Sequence, residues 1–176
     1  MMPGLEKTFA VKGAQMTIAV GDRLPEVKFT IMTDIGSAQK LTSELFGGKR
    51  IALFAVPGAF TPTCHNNHLP GFLENLETLK AKGIDEVVCT AVNDIFVLTA
   101  WAKATGAADK ITFISDGSAA FAKAIGLDND SSANNMGVRS KRYAMLVDDG
   151  VVKVLNVEPA PGKAEVSGAA ALLAAI

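Results

Sequence analysis

The chain has 176 residues, of which 49% are hydrophobic and 20% charged, which is enough apolar material for one well-buried globular domain. Its formal net charge of −1 provides no positive field to attract nucleic acid or an anionic membrane. Its longest apolar runs fall far short of the roughly 20 residues that a membrane-spanning helix requires. We therefore expect a soluble protein that binds neither nucleic acid nor membrane.

Two cysteines in a chain of this length do not make a disulfide scaffold, which favours a reducing compartment. We expect a cytoplasmic protein, with an organelle as the alternative. Residues 1–15 lack both the apolar core of a signal peptide and the Arg/Ser richness of a transit peptide. We interpret residues 1–15 as an N-terminal extension and residues 16–176 as one domain.

Short β-branched runs alternate along the chain with helical patterns, which is typical of an α/β domain. In the first half, the pattern predicts a strand at Val27–Met32 and a brief helical turn at Thr42–Phe46. A central strand buried on both faces is predicted at Arg50–Val56, and a helix from Thr61 to Gly83. Pro70 should kink the long helix, because its ring opposes the carbonyl of Asn66.

In the second half, the pattern predicts a strand at Val87–Val92, a helix at Ile95–Ala104 and a strand at Ile111–Ile114. A short helix at Ala119–Ile125 and a polar loop at Leu127–Ser140 follow. Two more strands flank Asp149-Gly150, a pair that tolerates the positive φ of a two-residue hairpin turn. Ser167 is a candidate N-cap of a last helix. This order predicts a thioredoxin-like α/β fold, with a central mixed β-sheet flanked by helices.

Cys64 occupies a strand-to-helix turn. Thr61 and Pro62 stand where an N-cap and an N1 proline belong, which places Cys64 at about the third helical position. Free N–H groups and the positive end of the helix dipole favour a thiolate there. Outside such a turn, a lone cysteine in an apolar core is usually buried and inert. Thr61 replaces the first cysteine of a C-x-x-C pair, so dithiol exchange within this tetrapeptide is impossible.

Two neighbouring segments, Pro57-Gly-Ala-Phe-Thr-Pro-Thr-Cys64 and His68-Leu-Pro-Gly-Phe72, resemble the active-site segment of the peroxiredoxins, and within them the type II, peroxiredoxin-five-like subfamily. The resemblance covers nearly the whole chain from about Ile18. It implies a thiol peroxidase that reduces hydrogen peroxide and alkyl hydroperoxides without metal, flavin or other cofactor, in antioxidant defence and redox homeostasis. It also implies a homodimer.

The resemblance further implies roles for four residues. Cys64 would be the peroxidatic cysteine and become a sulfenic acid, while Thr61 would hold the peroxide and Pro57 would wall the pocket. Arg142 would stabilise the thiolate and the charge that develops on the leaving oxygen. Without the resemblance, the cluster of Arg142 with Arg139 and Lys141 is more typical of a solvated strand edge than of an active site.

The two histidines follow Cys64 closely, and His68 is four residues from it, the spacing of paired ligands on one helix face. A zinc site needs two more ligands, and only Cys89 or remote carboxylates remain, so we expect no metal. We expect His68 to hydrogen-bond beside the active-site turn and His65 to face solvent, neither acting as an acid or base.

Cys89 lies in an apolar strand and fits a small buried core residue. The alternative is a resolving cysteine that forms a disulfide with Cys64 after local unfolding. Some relatives carry a resolving cysteine near the C-terminus, where this chain has Ala164–Gly168 and no thiol. The sequence therefore leaves open a one-cysteine cycle reduced by glutathione or glutaredoxin and a Cys64–Cys89 disulfide reduced by thioredoxin or glutaredoxin.

Two other functions compete with the peroxidase hypothesis. A peroxide-sensing redox signalling protein would oxidise Cys64 without fast turnover, but it has no need of both Thr61 and Arg142. A thiol-dependent hydrolase needs a histidine base oriented by Asn or Asp, and no such orienting partner is evident for His68.

Overall fold

The computed structural model describes residues Thr17–Ile176, and the predicted N-terminal extension, residues 1–15, lies outside them. Seven strands form one sheet and two short strands form another. The strands are β1 (Lys28–Thr33), β2 (Gly36–Leu41), β3 (Arg50–Ala55), β4 (Glu86–Ala91), β5 (Thr112–Ser115), β6 (Asp128–Asp130), β7 (Val138–Ser140), β8 (Tyr143–Asp148) and β9 (Val151–Val157).

The helices are short, and within the described residues none is long and apolar enough to cross a membrane. They are α1 (Thr42–Phe46), a π-helical turn (Cys64–His68), α2 (Leu69–Glu74), α3 (Leu76–Ala81), α4 (Ile95–Thr105), α5 (Ala120–Ala124), a 3₁₀ turn (Ser132–Asn134) and α6 (Ala169–Ala174).

The large sheet has the order β2-β1-β5-β4-β3-β8-β9. Its centre, β3 to β5, is parallel, and antiparallel strands complete it on both sides. Apart from Arg50, every residue of β3 is buried, as its continuous apolar run predicts for a central strand. The mixed sheet with helices on both faces is the predicted thioredoxin-like architecture.

Two apolar layers cover the sheet, because alternate residues of each strand point to opposite faces. One layer joins Phe54 and Cys89 to Cys64 and to helices α2, α3, α4 and α6. The other packs Leu53 and Phe29 against α1 and α5, where Phe121 lies 5.0 Å from Phe29 between ring centroids. Both cysteines therefore lie on the same side of the sheet.

The predicted helix after Thr61 is divided into three parts. Pro70 has no N–H to donate to the carbonyl of Asn66, and the chain passes this point as the π-helical turn, closed by a bond from the Leu69 N–H to the Cys64 carbonyl. Asn75, at φ −106°, then separates α2 from α3. The predicted interruption at Pro70 is thus present, as a wider helical turn.

Three other elements differ from the sequence prediction. Strand β2 was not predicted, because Gly-Ser-Ala-Gln-Lys has low strand propensity and forms an edge with a half-exposed face. The predicted loop Leu127–Ser140 contains the β6–β7 pair. Ser167 is not the N-cap of the last helix; Gly168 is, and the Ser167 hydroxyl bonds to Glu158 instead.

The β8–β9 hairpin was predicted correctly. Asp149 and Gly150 have φ values of 48° and 79°, the left-handed conformation that a two-residue turn requires.

Replacing Phe121 with Ala should lower the free energy of unfolding by about 3 to 5 kcal/mol, because it leaves a cavity in the layer remote from Cys64. Chemical denaturation measures the change. Phe96→Ala is the control: this ring is 66% exposed, so its loss should change stability by no more than about 0.5 kcal/mol. Equal effects would contradict the described core.

Candidate active site

Strand register brings the site residues to one edge of the sheet. Ala55, the last residue of β3, pairs with Tyr143, so Arg142 lies beside the segment that leaves β3. Tyr143 also pairs with Val157 on its other side, and the Glu158 N–H donates to the Arg142 carbonyl at 2.9 Å. The end of β3 and the two ends of the β8–β9 hairpin thus meet around one arginine.

The loop after β3 is held by its own hydrogen bonds. The Ala59 N–H donates to Oδ1 of Asn93, which follows β4, at 2.9 Å. The Thr61 hydroxyl donates to the Gly58 carbonyl at 2.6 Å, so its oxygen lone pairs remain for a ligand that donates. Pro57 and Thr61 are both half-buried. The Thr61 carbonyl accepts from the His65 N–H at 2.8 Å, as expected where the helix begins.

Cys64 is fully buried at the start of the π-helical turn. Nη2 of Arg142 lies 3.2 Å from its Sγ. Pro62 and Thr63 are already helical, so Cys64 is the third helical residue, as predicted. Its sulfur therefore faces a guanidinium, while its backbone belongs to the first helical turn.

Arg142 is 3% exposed, so it is not on a solvated strand edge. Its Nε and Nη2 donate to the Pro161 carbonyl at 3.2 and 3.1 Å, and its Nη1 lies 3.1 Å from Nδ1 of His68. Among residues 17–176, no carboxylate forms an ion pair with Arg142. Since a buried cation without a counter-charge is costly, Arg142 is placed to stabilise negative charge that develops at the Cys64 sulfur.

His68 is buried, and it hydrogen-bonds beside the turn as expected. Its Nε2 is 2.8 Å from the Ser167 carbonyl oxygen, and its ring packs edge-on against Phe54. Burial lowers the pKa of His68 to about 4, and the Arg142 charge acts in the same direction against the Ser167 hydrogen bond. His68 is therefore neutral near pH 7.

The prediction that His65 faces solvent was wrong. His65 is half-buried, its Nδ1 accepts from Nε1 of Trp101 at 3.0 Å, and its ring stacks on Phe60. Phe60 has a φ of 65°, unusual for a bulky residue, and remains half exposed. His65, Phe60 and Trp101 together form the outer wall of the turn that carries Cys64.

Cys89 lies in the middle of β4, paired with Phe54 on one side and Phe113 on the other. It is fully buried, and both cysteines are free thiols. Burial raises the pKa of the Cys89 thiol well above its ordinary value, and the nearby Cys64 raises it further. Cys89 therefore stays protonated in the folded chain.

Several contacts of the site were not predicted from the sequence. Pro161 and Ser167 supply the carbonyls that hold Arg142 and His68, and the Glu158 carboxylate accepts from the Ser167 N–H and hydroxyl. Burial opposes ionisation of Glu158, but these hydrogen bonds outweigh it and lower its pKa. Arg139 donates to the Pro57 carbonyl at 3.4 Å. Backbone carbonyls carry no sequence signal.

Within Thr17–Ile176, no group of three or more His, Cys, Asp and Glu side chains is placed to hold a metal ion.

Comparison with known proteins places this geometry in a family. The model of the Redoxin family matches residues 19–173. Peroxiredoxin-2E-2, chloroplastic, of Oryza sativa subsp. japonica is 48% identical over 147 residues, 81% of this chain and 65% of that protein. Peroxiredoxin-2C of the same plant is 42% identical over 160 residues, 90% of this chain and 98% of that protein. The chain belongs to the type II peroxiredoxins of the Redoxin family.

Solved peroxiredoxin structures share the fold. Reduced Prx3 from Vibrio vulnificus in complex with hydrogen peroxide is 48% identical with a TM-score of 0.85, covering 90% of this chain and 99% of that chain. Peroxiredoxin 5 from Alvinella pompejana is 37% identical with a TM-score of 0.73, over 81% and 90% of the two chains. The subfamily and the fold inferred from the sequence are both confirmed.

The lowered pKa of His68 predicts a pH effect on stability. As pH falls from 6.5 to about 4, His68 becomes protonated in the unfolded peroxiredoxin but not in the folded one. The free energy of unfolding therefore falls by about 3 kcal/mol. The loss should be absent in His68→Gln, measured by denaturation across this range. A histidine NMR titration that placed the His68 midpoint near 6.5 would contradict this prediction.

Proposed function

We propose that this peroxiredoxin is a thiol peroxidase that reduces hydrogen peroxide and alkyl hydroperoxides through Cys64, in antioxidant defence and redox homeostasis. The observation that carries the proposal is the buried Arg142 guanidinium, without an acidic partner among the described residues, 3.2 Å from the Cys64 sulfur. The Vibrio vulnificus relative, solved with hydrogen peroxide, supports this substrate.

In the first step the Cys64 thiolate attacks one peroxide oxygen. The S–O bond forms while the O–O bond breaks, sulfur gives up two electrons, and the leaving oxygen takes a proton to become water or an alcohol. Arg142 stabilises the thiolate and then the negative charge on the leaving oxygen. No metal or organic cofactor takes part in this step.

Thr61 and Pro57 bind and enclose the peroxide in this proposal. Because the Thr61 hydroxyl hydrogen is donated to Gly58, Thr61 accepts the O–H of the peroxide. Pro57 limits water at the sulfenic acid, and Arg139 holds the Pro57 carbonyl from behind.

The second half of the cycle is a one-cysteine route. One glutathione thiol attacks the sulfenic acid, releasing water and leaving a mixed disulfide, and a second thiol, from glutathione or glutaredoxin, restores Cys64. The position of Cys89 in the central strand, with its raised pKa, supports this route over a Cys64–Cys89 disulfide reduced by thioredoxin or glutaredoxin. A disulfide would require the start of the helix or β4 to open.

We further propose a homodimer that pairs around the active-site loops. The half-exposed Phe60, held in a strained conformation beside the site, supports an interface there. The rice relative peroxiredoxin-2E-2, named chloroplastic, agrees with an organelle location, the alternative to the cytoplasm.

Cys64→Ser should abolish peroxidase activity, while Cys89→Ser should leave the first oxidation intact. The test treats the reduced protein with about one equivalent of hydroperoxide and a sulfenic-acid trap, followed by intact mass and peptide mapping. A trapped adduct on Cys64 is expected, and a mixed disulfide with one glutathione is expected when that thiol is added in place of the trap. A Cys64–Cys89 disulfide would overturn the one-cysteine route, and an unmodified Cys64 would overturn the peroxidase.

Arg142→Gln should slow the second-order reaction with hydrogen peroxide about 100- to 1,000-fold, since it removes a charged donor from the transition state. Lys141→Gln is the matched control, because this neighbouring cation is exposed and its loss should change the rate by no more than about twofold. Stopped-flow kinetics give both rates. Similar rates in the two variants would remove Arg142 from the mechanism.

A further inference from the structure

Both ring nitrogens of His68 are engaged. Nε2 lies 2.8 Å from the Ser167 carbonyl oxygen, which can only accept, and Nδ1 lies 3.1 Å from Nη1 of Arg142, which can only donate. One neutral tautomer satisfies both contacts: Nε2–H donates to Ser167, and the Nδ1 lone pair accepts from Arg142. The protonated ring would set an N–H against the guanidinium.

The Ser167 carbonyl is itself fixed in place. Oε2 of Glu158 accepts from the Ser167 N–H at 2.9 Å and from its hydroxyl at 2.7 Å. The Glu158 N–H donates to the Arg142 carbonyl at 2.9 Å. Arg142, His68, Ser167 and Glu158 therefore form a closed ring of hydrogen bonds, and the orientation of the His68 ring is determined by the fold.

The guanidinium is a rigid planar fork. Its Nη1 is held by His68, and its Nη2 faces the Cys64 sulfur at 3.2 Å, so the contact at one nitrogen fixes the direction of the other. A carboxylate in place of His68 would hold the fork equally well but would cancel its charge. A neutral acceptor orients Arg142 and leaves its positive charge for the sulfur.

We propose that His68 is a positioning residue of this site: its neutral Nδ1 aims Arg142 at Cys64 without neutralising the guanidinium. The inference rests on the proposed function of Cys64 as the reacting thiol.

Two amide variants separate the contacts of His68. In His68→Asn, Oδ1 stands near the place of Nδ1 and can accept from Arg142, while the bond to Ser167 is lost. In His68→Gln, the amide nitrogen stands near the place of Nε2 and can donate to Ser167, while the acceptor for Arg142 is lost. Both variants lose the ring packing against Phe54, so a purely structural role predicts equal effects.

The readout is the alkylation rate of Cys64 by iodoacetamide at about pH 7, divided by its rate at about pH 9.5, followed by peptide mapping. The thiolate is the reactive form, and the ratio cancels differences in access. We expect His68→Gln to lower this ratio about 10- to 100-fold, and His68→Asn to remain within about threefold of the wild type. Peroxide rate constants should follow the same order.

Equal losses in the two variants would overturn the proposal. Failure of the proposed function would give a different result. If wild-type Cys64 is alkylated rapidly but does not react with peroxide, the peroxidase function is contradicted. The positioning of Arg142 is then judged from the alkylation ratios of the two variants alone.

Glu158→Gln provides a second test should either histidine variant fail to fold. Removing a nearby negative charge would by itself favour the Cys64 thiolate and raise the alkylation ratio. Loosening the anchor of Ser167 should lower it instead. A lower ratio supports the proposal, and an unchanged or higher ratio overturns it.

Discussion

The arrangement of this site depends on a buried arginine that has no acidic partner in the described chain. Arg142 is surrounded by the Pro161 carbonyl, a neutral imidazole and the Cys64 sulfur. The sulfur alone among these groups can become an anion. The positive charge of Arg142 is therefore left to stabilise negative charge on this sulfur. The register of β3, β8 and β9 places the arginine beside it.

The parts of the fold that the sequence predicted are those with strong local signals. The apolar run of β3 and the Asp149-Gly150 turn specify their structures within a few residues. Strand β2 has no such signal, because its low propensity is compensated by pairing with β1 along its whole length. The π-helical turn follows from Pro70, but the sequence predicts only an interruption, not its form.

The site was predictable to a similar degree. The helix start at Thr61 and Pro62 makes Cys64 a candidate site residue from local rules. Arg142 becomes a candidate only through the family resemblance, since its charge cluster alone is typical of a solvated edge. The roles of Ser167 and Pro161 could not be found this way. Their backbone carbonyls act, any residue type supplies a carbonyl, and Ser167 is 99 positions from His68.

His68 and Ser167 are 99 positions apart, so the residues of this site become available at different times while the chain is synthesised. Cys64 and its helix leave the ribosome well before Arg142, Glu158 and Ser167, the segments that complete the hydrogen-bonded ring. Until the last part of the chain has emerged and docked, the nascent cysteine lacks its guanidinium. The Cys64–Arg142 pair is therefore completed late in biogenesis, after most of the sheet that encloses it is able to form.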